Sequence, residues 1–212
     1  FLFTCVHRLF LDEYSSFLFH EWVHRICALG ETPEGFNALL EEIPSFRECI
    51  EQQDNYIHSE QCTQDRVYWD GFTRACTVTK LPRYYTSDKS RPQGLVHREV
   101  SLELVQRIHA FCGGSNLRFA ALFEALTAIY FQKTIFDLDG DVVLQTVSHG
   151  RSGGNRAIGN TSNPLFIRCP VRGSFESTME NIMSSIKECF EHRHFPVSHV
   201  ARLDAAFASP DI

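Results

Sequence analysis

Phe1-Leu2-Phe3-Thr4-Cys5-Val6-His7-Arg8-Leu9-Phe10-Leu11-Asp12-Glu13-Tyr14-Ser15 is the stretch on which the fold turns. Apolar residues over 1–6 and again over 9–11 read as a strand entering a loop, interrupted by His7 and Arg8. An imidazole accepts or steers a proton near neutral pH. A carboxylate such as Asp12 fixes a loop by pairing with an arginine. A His, an Asp five residues later and a Ser beyond form a catalytic arrangement with a physical purpose. The same spacing also arises by chance in many proteins, so the rest of the chain has to decide.

The rest of the chain narrows the classes. Its 212 residues make one large domain or two small ones, and a hydrophobic content of 43% with 18 Phe supports a packed core. A net charge of -6 argues against nucleic-acid binding, which needs a basic face to displace counterions, and against an anionic membrane surface. No apolar run is long enough to span a bilayer. His7, Arg8, Asp12 and Glu13 cut the opening run too soon for a signal peptide or an anchor. The chain starts without Met, inside a strand pattern, and reads as a piece of something longer. Eight scattered Cys with no CxxC pair read as reduced core thiols of a cytoplasmic protein.

Downstream, residues 16–29 predict a helix with Phe19, Trp22, Val23, Ile26 and Leu29 on its buried stripe and Gly30 as its stop. Short helical pieces follow around Phe36–Leu40 and Pro44–Gln53, then a helix over 65–73. Residues 80–94 read as a linker. Residues 95–101 alternate as a strand, and Ser101 caps a helix that Gly113-Gly114 ends. A helix from Arg118 to Lys133 puts Phe119, Phe123, Leu126 and Tyr130 on one face. Asp141–His149 and Pro164–Val171 read as strands around a Gly-rich loop, and Ser174–Glu191 as a strongly amphipathic helix. This order predicts layered α/β architecture, with helices on one side of each sheet.

Five segments in order give the pattern a family. His7, Asp12 and Ser15 resemble the HHxxxDGxS motif of condensation domains of nonribosomal peptide synthetases. Phe46-Arg47-Glu48-Cys49 resembles the YxDF segment, and Tyr68-Trp69 the YW before the linker. Ile158-Gly159, Asn163 and Arg168 fit IGxFVNTxxxR, and His192-Arg193-His194-Phe195-Pro196 resembles HQDYPFE. The resemblance implies two chloramphenicol-acetyltransferase-like α/β halves forming a V. Residues 1–80 would end the N-terminal half, which is incomplete here, 81–94 would link, and 95–212 would supply the C-terminal half.

It also implies amide-bond formation between two thioesters. These are carried on phosphopantetheine by upstream donor and downstream acceptor carrier proteins, with an adenylation domain adjacent and no cofactor in the domain itself. His7 and Arg8 then occupy the catalytic positions, and Asp12 pairs structurally with Arg151 of Ser148-His149-Gly150-Arg151. Glu13, Ser15, His149 and Asn163 are candidates for lining the channel, and Asn163 and Arg168 for holding strand geometry. Arg8 stands where the family has the second His, and Glu13 where it has Gly. Arginine stays protonated, so it can stabilise an oxyanion but cannot be a base. His7 therefore either takes over part of that role or supports an impaired site that serves as a docking module. A free-standing acyl-CoA-dependent transferase of the same superfamily is the alternative.

His20-Glu21-Trp22-Val23-His24 spells HExxH, the zinc-peptidase helix signature, with Glu41 or Glu42 as a third ligand. Helix geometry opposes it, because His20 and His24 fall off the apolar stripe, towards solvent. Gly150–Gly154 lacks the Lys-Ser/Thr ending of a phosphate loop and reads as a plain loop. His192 and His194 stand near a helix end, where positive charge is favourable.

Overall fold

The computed structural model describes residues 3–29, 33–76, 97–134, 141–151, 155–203 and 207. The helices are α1 Glu13–Leu29, α2 Pro33–Glu42, α3 Phe46–Ile57, α4 Glu60–Ala75, α5 Leu102–Cys112 and α6 Asn116–Thr134. Strands β1 Val142–His149 and β2 Ser162–Cys169 follow, then α7 Phe175–Glu191 and α8 Val197–Leu203. The architecture is mixed α/β, with an antiparallel β1–β2 sheet whose register runs from Val142 opposite Cys169 to His149 opposite Ser162.

Serines start most of these helices. Ser45, Ser59, Ser101 and Ser174 each take an orphan N–H of the first turn on the side-chain oxygen. Ser115 does the same for Arg118 N–H of α6. Gly113, at φ 58°, closes α5 in the left-handed region that glycine occupies without strain.

The main core lies between the sheet, α6 and α7. Met179, Ile182, Ile186 and Cys189 of α7 meet Leu165, Ile167 and Cys169 of β2, and Trp69 of α4 joins them. A second, small cluster holds Leu18, Trp22 and Leu39 of α1 and α2.

Several expectations are corrected. Residues 3–12 form no strand: they run irregularly into a turn closed by Phe10 N–H to the His7 carbonyl at 3.0 Å. Residues 97–101 form none either. A strand exists only through a ladder partner, and among the described residues only β1 and β2 pair.

Helix α1 begins at Glu13, three residues early, because Asp12 caps it. Its buried line is Ser15, Leu18 and Trp22, while Phe19 and Val23 are half-buried. On α6 the predicted face is the wrong one. Phe119, Phe123, Leu126 and Tyr130 are exposed, and Ala121, Ala125 and Ala128 are fully buried. Two residues along a helix is about 200° around it, so both stripes fit the periodicity. Close packing against α7 and the sheet selects the small one. The linker expected at 81–94 lies outside the described residues.

Candidate active site

Asp12 is the centre of a buried polar knot. Its Oδ1 accepts the Ser15 N–H at 2.7 Å, which makes it the N-cap of α1. Its Oδ2 accepts Thr161 N–H at 3.0 Å and the Thr161 hydroxyl at 3.3 Å. Arg151 closes the set as a fork, Nη1 to Oδ2 at 2.8 Å and Nη2 to Oδ1 at 3.2 Å. The two side chains are 2% and 5% exposed. Burial pushes the Asp12 carboxyl up. The Arg151 hydrogen bond and the backbone N–H groups of Thr161 and Ser15 outweigh it and hold the carboxyl at about 2.

The knot extends through Ser15, which is fully buried. Its hydroxyl donates to the Gly159 carbonyl and accepts Gly159 N–H at 2.9 Å and Arg151 Nη2 at 2.6 Å. Ser15 therefore belongs to this framework and to no channel wall. Arg151 Nη2 also donates to the carbonyls of Gly159 at 2.8 Å and Ala157 at 3.3 Å. Glycine is needed at two points nearby. A Cβ on Gly150 would lie 2.4 Å from the Thr161 carbonyl oxygen, and one on Gly159 would overlap the Phe46 ring.

This knot presents the turn that carries His7 and Arg8, both exposed. Leu9 N–H donates to His7 Nδ1 at 3.1 Å. Nδ1 is therefore an acceptor in this conformation, and the ring proton sits on Nε2. The Arg8 carbonyl accepts Asn160 Nδ2 at 2.9 Å, which ties the turn to the segment before β2. Glu13 is exposed in the first turn of α1, where a carboxylate suits the helix dipole.

A groove of about 690 Å³ lies between α3 and the residues around Asn160–Asn163 and Arg193–Pro196; Asn160 links it to the turn, but neither His7 nor Arg8 lines it. Of the channel candidates, Asn163 lines this groove. Its amide is already committed, donating to the carbonyls of Arg193 at 2.9 Å and Phe195 at 2.7 Å and accepting Val197 N–H at 3.0 Å. Glu13 and His149 do not line it, and His149 instead packs its ring 5.6 Å from that of Tyr14. Arg168 pairs with Asp141, as does Arg172 at 3.2 Å.

The HExxH residues are engaged elsewhere. His20 places Nδ1 2.7 Å from the Ser16 carbonyl and Nε2 3.2 Å from the Thr4 hydroxyl. Both Glu21 oxygens accept Arg156 Nη2, at 2.6 and 2.7 Å. His24 is exposed, and Glu42 pairs with Arg25 at 2.7 Å. Among the described residues no three His, Cys, Asp or Glu side chains gather as a metal site.

Sequence reasoning missed Arg156 and a second buried carboxylate, Asp65, which is 1% exposed. Asp65 stands four residues before Trp69 on the face that α4 buries. A carboxylate on a buried stripe demands donors from elsewhere in the fold, and that was the available signal.

The scaffold is mixed α/β, and an arginine-clamped loop holds the turn that carries His7 and Arg8. The chain belongs to the condensation-domain family, whose profile matches residues 1–205. It is 31% identical over 156 residues to the beauvericin nonribosomal cyclodepsipeptide synthetase of Beauveria bassiana, which covers 68% of this chain and 5% of that protein. Its fold resembles the starter condensation domain of rhizomide synthetase RzmA, solved in complex with C8-CoA and Leu-SNAC. The TM-score is 0.67 at 20% identity, over 97% of this chain and 45% of that one. It also resembles the SgcC5 protein from Streptomyces globisporus, with TM-score 0.73 at 16% identity, over 95% of this chain and 46% of that one. The chain thus spans less than half the length of these solved relatives. Among the described residues no helix is long and apolar enough to cross a membrane.

Proposed function

We propose that this chain is part of a condensation domain that handles carrier-bound thioesters, in a copy whose amide-forming chemistry is impaired and whose main role is docking and positioning. The observation that carries this reading is the His7–Arg8 turn, presented by the Asp12–Arg151 knot and tied through the Arg8 carbonyl to Asn160, a residue of the groove's lining. The turn offers donors: Nε2–H of His7 and the guanidinium of Arg8. Donors polarise a thioester carbonyl and stabilise an oxyanion. Arg8 stays charged and takes no proton, and the Nδ1 lone pair of His7 is engaged by Leu9 N–H in this conformation.

In this reading an upstream and a downstream carrier protein present their phosphopantetheine arms, and an adenylation domain lies adjacent. Residues 1–80 end one half and 95–212 form most of the other, with the polar knot at their seam. The eight cysteines are free thiols, which suits a cytoplasmic synthetase.

A condensation assay with loaded donor and acceptor carrier proteins tests the proposal. Wild-type turnover is expected to be slow. Restoring the family residues in Arg8→His/Glu13→Gly is expected to raise it by about a hundredfold, the lower end of what a placed general base contributes. Robust wild-type turnover that is lost in His7→Ala or Arg8→Ala would overturn the docking role.

A further inference from the structure

A second groove, of about 650 Å³, lies between α4 and α7 and shares no lining residue with the first. That volume suits a small molecule. Helix α4 lines it with Val67, Gly71 and Ala75, and α7 with Asn181, Ser184 and Glu188. These spacings are one face of each helix, so one wall is largely apolar and the other carries amide and hydroxyl groups. The α4 wall runs from Val67 to Cys76, about 14 Å along the helix. A Cβ on Gly71 would meet nothing within 4 Å, so the space reaches the α4 backbone.

One end of this groove is cationic. Arg168 and Arg172, both in its lining, converge on Asp141, whose side chain is 7% exposed. Two positive charges therefore share one negative charge. Arg168 meets Asp141 through Nε alone, and among the described residues its Nη1 and Nη2 donate to nothing. Arg172 reaches Asp141 through Nη2 at 3.2 Å and is 72% exposed. The two Nη groups of a guanidinium form a fork that matches a carboxylate. Glu188 stands in the last turn of α7, whereas Arg172 precedes its first, so the far end of the groove repels a second negative charge. Arg168 faces Val143 in the ladder, six residues from His149. The cationic end is thus about 20 Å along the sheet from His149.

Helix α4 is fixed from behind. Trp69 Nε1 donates to the His192 carbonyl at 3.2 Å, and the His192 ring stacks on Tyr68 at 3.9 Å. The buried Asp65 accepts His192 Nδ1 at 2.7 Å and the Tyr56 hydroxyl at 2.6 Å. Tyr56 lines the first groove and His192 leads into Arg193–Pro196, so Asp65 also joins that groove's two walls. A fully buried carboxylate keeps its donors, because leaving it unpaired is costly. The wall that α4 offers to the second groove is therefore preformed.

We propose that the groove between α4 and α7 is a second binding site, for a small amphipathic monocarboxylate. Its carboxylate sits on Arg168 and Arg172, and its apolar body lies along Val67, Gly71 and Ala75. The charge balance selects a monoanion over a phosphate dianion, because the arginine end carries one net positive charge and Glu188 opposes more. The site goes beyond the thioester-handling reading and does not rest on it.

Calorimetric titration of the whole chain tests it, with 4-phenylbutanoate and its neutral analogue 4-phenylbutanamide as probes and a thermal melt on each variant. The carboxylate is expected to bind about tenfold more tightly than the amide, the size of a charge-assisted hydrogen bond, and to weaken as salt is raised. Arg168→Lys keeps a charge beside Asp141 but loses the fork, and should weaken binding by about tenfold. Arg172→Gln removes an exposed charge and should weaken it by about threefold. Gly71→Leu fills the groove with a better helix former, so binding should disappear with the melt unchanged or raised. Bound carboxylate should also slow alkylation of the half-buried Cys76, mapped by mass spectrometry, and leave that of the exposed Cys27 alone.

No wild-type binding, equal binding of acid and amide, or full binding by Gly71→Leu overturns the proposal. Ile50→Trp, which fills the first groove, separates the two sites. Binding that Ile50→Trp abolishes and Gly71→Leu preserves belongs to the first groove and sinks this inference. Condensation turnover does not enter the readout, so its presence or absence leaves this test untouched.

Discussion

The chain has two tryptophans, and they are held in opposite ways. Trp69 of α4 is 1% exposed in the main core, with its Nε1 donating to the His192 carbonyl at 3.2 Å. Trp22 of α1 is 5% exposed in the small cluster with Leu18 and Leu39, its buried Nε1 finds no hydrogen-bond partner among the described residues, and Arg25 covers its ring at 4.5 Å. Helix α4 is thus anchored by apolar packing. Helix α1 depends on polar contacts to 151–161: Asp12 with Arg151, Ser15 with Gly159, and Glu21 with Arg156. The region that carries the candidate site is the one held by charge. Its stability therefore responds to pH and salt, and that of the core responds to volume.

The largest expected effect is on the apolar side. Trp69→Ala removes the biggest fully buried side chain and should cost about 4 kcal/mol by urea unfolding. Next comes Arg151→Ala, which strands a buried carboxylate and should cost about 3 kcal/mol. The double variant Asp12→Ala/Arg151→Ala should recover part of that loss, and a cycle without coupling between the two sites would break the comparison.

The third prediction is a pair of opposite pH dependences. The Asp12 carboxyl lies below its ordinary 3.8 in the fold, at about 2, so its stabilisation is present above pH 3.8 and lost as pH falls through 2. Glu124 of α6 behaves oppositely. Burial raises its carboxyl from 4.5 to about 7, and its Oε2 has no partner among the described residues. Its contribution is full below pH 4.5 and lost as pH rises through 7. Melts of Glu124→Gln across pH 5 to 8 should therefore be flatter than wild type. The smallest effect belongs to Glu21→Gln. This half-exposed pair should show a slight destabilisation that disappears in high salt.

Much of this was legible before the fold was known. Ser101 announces a helix start through the chemistry of its oxygen, and Gly113 announces a stop through its backbone freedom. The stripe Met179, Ile182, Ile186 and Cys189 reads directly as the buried face of α7. Asp12 and Arg151 are named as partners by motif resemblance, although 139 residues separate them. The exposure of residues 3–10 and the buried face of α6 were not legible, because an apolar pattern records what can be covered and not what covers it.

By itself, then, the sequence determined most of the helices, the two strands that pair, the Ser101 cap and the family. The physical reason is that these rest on interactions within a few residues or on several partly retained motifs met in order along the chain. Only the tertiary structure decided that Ser15 is a buried strut, that His7 presents a donor, and that Asp65 joins two walls of a groove. Each of those depends on a partner distant in the chain, or on the direction of one backbone N–H, which no spacing of residues encodes.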